Sequence, residues 1–222
     1  DLLELGVPFS DPEAEGPAIQ ASSERALANG VTLRKVLELV EEFRRQDQTT
    51  PIILMGYLNS VLAMHDFAAR AQQAGVDGLI MVNLPPEAAT EIQADLAAHE
   101  IDLIYLVAPT TTDERAQMIL SRASGFVYCV SLKGITGADN LQTEAVAARL
   151  GALRSFTQLP LCVGFGIKDA ATAAQVAQVA DGVVVGSALV QLLAQHADSV
   201  ASGAAALREA AQALRQGVDQ GA

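Results

Sequence analysis

Short aliphatic runs alternate along the chain with stretches rich in Ala, Leu, Gln and Glu, whose apolar positions recur every three or four residues. The first pattern predicts strands and the second amphipathic helices. Strand runs fall at Leu2–Val7, Pro51–Met55, Gly78–Val82, Leu103–Val107, Phe126–Val130, Leu161–Val163 and Gly182–Val185. Helices are predicted over Leu33–Arg45, Val61–Ala74, Pro86–His99, Asp113–Arg122, Thr143–Phe156, Ala170–Ala180 and Ala204–Arg215. A short extra helix, Ala188–Gln195, lies between the last strand and the final helix. The strand cores are nearly continuous apolar runs, as expected where both faces are buried under helices. Glycine follows a helix in Ala74-Gly75-Val76, Ser124-Gly125-Phe126 and Asp181-Gly182-Val183, where a left-handed residue ends the helix. No linker interrupts the series, so one domain is expected over residues 1–222.

Seven strand–helix units fit either an open doubly wound sheet or an eight-stranded barrel short of one unit. The chain starts at Asp1, inside an apolar run and without a methionine. The extra helix after the last strand is a recurring phosphate-binding device of (β/α)8 barrels. Both features favour a (β/α)8 TIM barrel lacking its first strand–helix unit. Such a barrel exposes two unpaired edges, so this chain alone is expected to be poorly stable and weakly active.

Half the residues are apolar, enough for a sizeable core, and the formal net charge is −12. That balance disfavours nucleic acid and anionic membranes as partners. It does not disfavour a small phosphate ester, which backbone N–H groups at a helix N-terminus bind locally. Cys129 and Cys162 sit in short apolar runs and are expected to be buried, reduced thiols of a cytoplasmic protein. No apolar run reaches the roughly 20 residues that span a bilayer. His65, His99 and His196 lie on helical stretches or their ends and cluster with nothing, so no metal site is expected. No dinucleotide fingerprint and no nucleophile triad is visible.

In a barrel, chemistry sits at the C-terminal ends of strands. Glu4 is a carboxylate inside an apolar strand: either it points outward to a helix cation, or it points inward, where desolvation raises its pKa. Pro8, Pro12, Gly16 and Pro17 shape the loop that follows, which carries Asp11, Glu13 and Glu15. Gly164-Phe165-Gly166 follows one strand and Gly186-Ser187 opens the extra helix; glycine permits close backbone approach to a phosphate. Ser187 either donates to a phosphate oxygen or simply caps the helix. Phe165 either packs or touches a ligand. Thr136 and Gly137 lie in a polar loop that is either a closing lid or a mobile surface loop. Tyr57 and Tyr128 are aromatics of the core or rim, and Asp77 stands at a strand start.

The segment Glu4-Leu-Gly-Val-Pro-Phe-Ser-Asp-Pro-Glu-Ala-Glu15-Gly-Pro-Ala-Ile-Gln20 resembles the signature of tryptophan synthase α subunits, E-L-G-[IV]-P-[FY]-S-D-P-x-A-D-G-P-x-I-Q. Further matches follow in that family's order: Met55-Gly-Tyr57-Leu-Asn59, Gly75-Val-Asp77-Gly, Leu84-Pro-Pro-Glu87, Ala108-Pro-Thr-Thr-Thr-Asp113, Lys133-Gly-Ile-Thr136-Gly137-Ala, Gly164-Phe-Gly166-Ile and Val185-Gly186-Ser187-Ala. The resemblance implies a TIM-barrel lyase of tryptophan biosynthesis, performing retro-aldol cleavage of indole-3-glycerol phosphate to indole and glyceraldehyde 3-phosphate. It implies no cofactor in this subunit. Pyridoxal phosphate belongs to the β subunit, the expected partner in an α2β2 assembly.

Residue by residue, Glu4 matches the family's proton-shuttling glutamate. Glu15 stands where the family has an aspartate that accepts the indole N–H. The extra methylene moves the carboxylate by roughly 1 Å, a displacement worth up to about 10²-fold in rate. Gly164, Phe165, Gly166, Gly186 and Ser187 match the phosphate and substrate elements, with Tyr128 near the substrate. Thr136 and Gly137 match the lid, and Asp77 the carboxylate near it. Asn83 replaces a common aspartate near the partner interface. Two other readings stay open. One is a catalytically weakened barrel that mainly activates a β partner. The other is a different phosphate-handling barrel enzyme, such as an isomerase or indole-glycerol-phosphate synthase, which shares the glycine sites but not Glu4–Gln20.

Overall fold

The computed structural model describes residues 1–130, 140–164 and 166–221. They form two compact units, Asp1–Tyr105 with Arg122–Gly125, and Leu106–Ser121 with Phe126–Ala222.

The first unit runs β1 (Leu3–Gly6), α1 (Pro17–Ala28), α2 (Leu33–Arg44), β2 (Ile52–Gly56), α3 (Leu58–Leu62), α4 (Phe67–Ala74), β3 (Gly78–Met81), a 3-10 turn (Pro86–Ala88), α5 (Thr90–Ala98) and the start of β4 (Asp102–Val107). Its strands are parallel and paired in chain order, with Glu4 opposite Ile53, Ile53 opposite Gly78 and Leu79 opposite Leu103. Ile52, Ile53, Leu54, Leu79, Ile80 and Met81 are all buried, as their unbroken apolar runs predict. Helix α2 buries Leu33, Val36, Leu37 and Val40, a stripe at three- and four-residue spacing. Its N-cap, Thr32, accepts the Lys35 N–H.

The second unit runs α6 (Asp113–Leu120), β5 (Val127–Val130), α7 (Asn140–Arg154), β6 (Leu161–Gly164), α8 (Ala170–Ala177), β7 (Gly182–Val184), α9 (Ser187–Gln195) and α10 (Val200–Gly221). Strands β5, β6 and β7 are parallel neighbours. Tyr128 pairs with Cys162 and Cys129 with Val163. Successive strand residues face opposite ways, so the two cysteines lie on opposite faces and remain unpaired.

Each unit has a clip at its strand starts. In the first, the Asp77 carboxylate accepts the Ile52 N–H at 2.7 Å and an Arg44 guanidinium N–H at 2.6 Å, while the Asp77 N–H donates to the Ile52 carbonyl at 2.9 Å. In the second, Asp181 accepts the Leu161 N–H at 2.8 Å and Arg154 at 2.9 Å, and its own N–H donates to the Leu161 carbonyl at 3.0 Å. An Asp-Gly pair before a strand thus takes the first N–H of the preceding strand and an arginine from a helix end.

The structure departs from the sequence expectations at identifiable places. Helix α1 has no buried residue, so it lacks the apolar stripe that reveals a helix; Pro17 in its first turn is the sequence signal for it. The helix expected over Val61–Ala74 is two helices, because Asp66 adopts φ 58° and breaks it. Helix α10 is longer than Ala204–Arg215, since its glycines are packing surfaces rather than stops: Gly217 is buried, and a Cβ there would strike the Ala170 backbone carbonyl on α8. Gly75 and Gly125 have positive φ, as expected after helices, but Gly182 does not. It belongs to β7 instead, where a Cβ would lie 2.6 Å from the Cys162 sulfur.

Candidate active site

In the first unit, β1 carries Glu4 to a partly buried position, and the following loop carries Glu15, also partly buried. Burial, with repulsion from the Glu15 carboxylate added, pushes the Glu4 carboxyl up from 4.5 to about 7. Burial raises the Glu15 carboxyl as well. A buried carboxyl that keeps its proton near neutral pH, beside a second acid raised by burial, has the chemistry that proton transfer needs.

The loop is held from several sides. The Glu15 N–H donates to the Pro12 carbonyl at 3.0 Å, and the Gln20 amide donates to the Glu15 carbonyl at 2.8 Å. The Ala14 N–H donates to the Tyr57 hydroxyl at 3.0 Å. The Tyr57 ring stacks on Phe9 with centroids 5.0 Å apart and planes 24° from parallel. Tyr57 follows β2 directly and is buried. The next residue, Leu58, donates its N–H to the Asn83 side-chain oxygen at 2.8 Å. Reading single residues left Tyr57 as a core or rim aromatic; its position in the Met55–Asn59 motif was the signal that it serves the loop.

In the second unit, Gly164 ends β6 and Gly166 has φ 81°. Tyr128 on β5 lies so close over Gly164 that a Cβ there would collide with the tyrosine hydroxyl. Gly186 is the N-cap of α9 and makes no side-chain cap, so the first N–H groups of the helix have no acceptor within it. Ser187 is the first helical residue, not the cap, and is exposed. This terminus is exposed and glycine-led, and free N–H groups of this kind can take an anion.

Asp77 lies at the start of β3, its carboxylate taken up by Arg44 and Ile52. Phe165, Thr136 and Gly137 lie outside the described residues. Burial pushes the Cys129 thiol up to about 12 and the Cys162 thiol up to about 11, which makes both poor nucleophiles. Among the described residues no group of His, Cys, Asp and Glu is placed to hold a metal ion, and no helix is long and apolar enough to cross a membrane. A surface depression lined by Arg34, Glu38, Glu41 and Arg70 holds none of the acids or glycines described.

A sequence profile of the family described as tryptophan synthase alpha chain matches residues 1–219. The tryptophan synthase alpha chain of Burkholderia thailandensis is 54% identical over 221 residues, covering 99% of this chain and 81% of that protein. The crystal structure of tryptophan synthase subunit alpha from Legionella pneumophila superposes with a TM-score of 0.89 at 42% identity, covering 99% of this chain and 82% of that one. A chain from the tryptophan synthase a2b2 complex of the hyperthermophile Pyrococcus furiosus gives a TM-score of 0.85 at 36% identity, over 97% and 86% of the two chains. These likenesses and the alternation of parallel strands with helices support a TIM-like α/β fold. The chain belongs to the tryptophan synthase alpha chain family.

Proposed function

We propose that this chain cleaves indole-3-glycerol phosphate, with Glu4 as the proton shuttle and Glu15 as the stabiliser of charge on the indole. The single observation that carries this is a Glu4 carboxyl raised to about 7 on a strand, with Glu15 as its charged neighbour. In the cleavage, Glu4 delivers a proton to indole C3 and removes one from the glycerol hydroxyl. The carbon–carbon bond at C3 breaks, and its electron pair returns to the ring as the hydroxyl carbon becomes the aldehyde. Glu15 accepts a hydrogen bond from the indole N–H and opposes the positive charge that grows on the ring when C3 is protonated. Gly164, Gly166, Gly186 and Ser187 serve the phosphate through backbone N–H groups and one hydroxyl, with Phe165 and Tyr128 against the substrate. Thr136 and Gly137 match the residues to which the family gives its lid, and Asp77 supports the site from a distance by fixing the start of β3.

The reaction needs no cofactor from this chain. Its partner is a tryptophan synthase β subunit in an α2β2 assembly; the Pyrococcus furiosus relative is described as part of such a complex. The pyridoxal phosphate belongs to that partner, and the cytoplasm is where both work. Release of indole by the complex tests the reading. Glu4→Gln is expected to lower kcat by at least 10³-fold at unchanged KM, as loss of an obligatory proton carrier does. Near-normal turnover in that variant would remove Glu4 from the mechanism.

A further inference from the structure

Glu15 stands on a loop, and a carboxylate on a loop is only as well placed as the loop is anchored. Two of its anchors converge on Tyr57: the Ala14 N–H bonded to the hydroxyl at 3.0 Å, and the Phe9 ring stacked on the tyrosine ring at 5.0 Å. Tyr57 is only 3% exposed, so it is itself fixed by its surroundings. Its neighbour Leu58 is tied to the end of β3 by Asn83, whose amide in turn donates to the Asn59 side-chain oxygen at 3.3 Å. A connected path therefore runs from Asn83 through Leu58 and Tyr57 to Ala14, the residue before Glu15. Asn83, at one end of that path, and Glu15, next to the other, are both among the departures from the family motifs named above. A glutamate must start its side chain farther from the indole nitrogen than an aspartate does, so the setback of the loop becomes critical.

We propose that Tyr57, backed by Asn83, is a positioning residue that sets where the longer Glu15 side chain delivers its carboxylate. The proposal rests on the assignment of Glu15 to the indole nitrogen. Neither residue contacts the reacting atoms; both act through the loop. Tyr57→Phe removes the acceptor of the Ala14 N–H while keeping the ring and its stack.

The test is a double-mutant cycle on the α2β2 complex, assayed for indole release, with Tyr57→Phe, Glu15→Gln and the double variant. Tyr57→Phe is expected to lower kcat about 10-fold with KM within about twofold, the signature of a misplaced group rather than lost binding. The pH midpoint of activity assigned to Glu4 is expected to fall, because the Glu15 charge is no longer held beside it. In the Glu15→Gln background, the same change is expected to add no further loss. A purely structural tyrosine would leave the pH midpoint in place and add its full loss on top of Glu15→Gln, and either result overturns the proposal. Asn83→Ala, at an exposed site, repeats the cycle without touching the core, with an expected loss of about threefold that also vanishes beside Glu15→Gln. Full activity in Glu15→Gln alone overturns the role of Glu15, and the positioning role with it. A dead Glu15→Gln with an unimpaired Tyr57→Phe overturns the positioning role alone.

Discussion

At pH 8 the Glu4 carboxylate carries a charge that its surroundings oppose. Its folded pKa, about 7, lies above the ordinary value of 4.5. Its contribution to stability is therefore fully present below pH 4.5 and is lost as the pH rises through 7. Replacing the acid with an uncharged amide removes that penalty. Glu4→Gln is expected to be more stable than the parent by about 3 kcal/mol at pH 8 and nearly equal to it at pH 4.5, as read by urea unfolding at both values. Tyr105 offers a second residue-level test, since its hydroxyl is buried and has no hydrogen-bond partner among the described residues. Tyr105→Phe is expected to raise stability by about 1 kcal/mol, and a loss of that size would reveal a missed partner. At this scale the sequence singled out Glu4 and Glu15 as candidates, because a long motif surrounds them. It showed Tyr57 only as a motif residue, because the N–H that its hydroxyl accepts lies 43 residues away in sequence.

Between elements, α10 packs closely on α8. Gly217 and Gly221 face Ala170 and Ala174, and a Cβ at either glycine would run into an alanine carbonyl. Because backbone rather than a flexible side chain stands in the way, Gly217→Ala is expected to cost at least 2 kcal/mol and to lower the melting midpoint by several degrees. A midpoint within a degree of the parent would mean that α10 slides without penalty. The positions of most strands and helices were legible from periodicity, because their apolar runs bury as continuous faces. Helix α1, with no buried face, and the break at Asp66, set by one left-handed residue, were not. The strand-start clips were half visible. The Asp-Gly pairs could be read, but the arginines that complete them, Arg44 and Arg154, lie 33 and 27 residues away.

For the molecule as a whole, the net charge of −12 makes any phosphate site depend on local backbone groups rather than on the overall field. Glycerol phosphate at 100 times its dissociation constant is expected to stabilise the protein by about 2.7 kcal/mol, visible as a higher melting midpoint. Ser187→Glu, which sets a like charge at the start of α9, is expected to abolish that gain; its persistence would place the phosphate elsewhere. The family was legible from the sequence because its motifs run in order from Glu4 to Ser187. The electrostatics of Glu4 were legible only as one of two alternatives, since desolvation is a property of packing.

The two clips, one in each unit, have a kinetic consequence. The amides of Ile52 and Asp77 are bonded to one another's residue, and the Asp102 N–H bonds to the Asp77 carbonyl. None of these protons can reach solvent until the Asp77 junction opens, so in deuterated buffer all three are expected to exchange with one shared rate. The Leu161 and Asp181 amides form a second set tied to Arg154. Arg44→Ala would then speed the first set together and leave the second on its own clock.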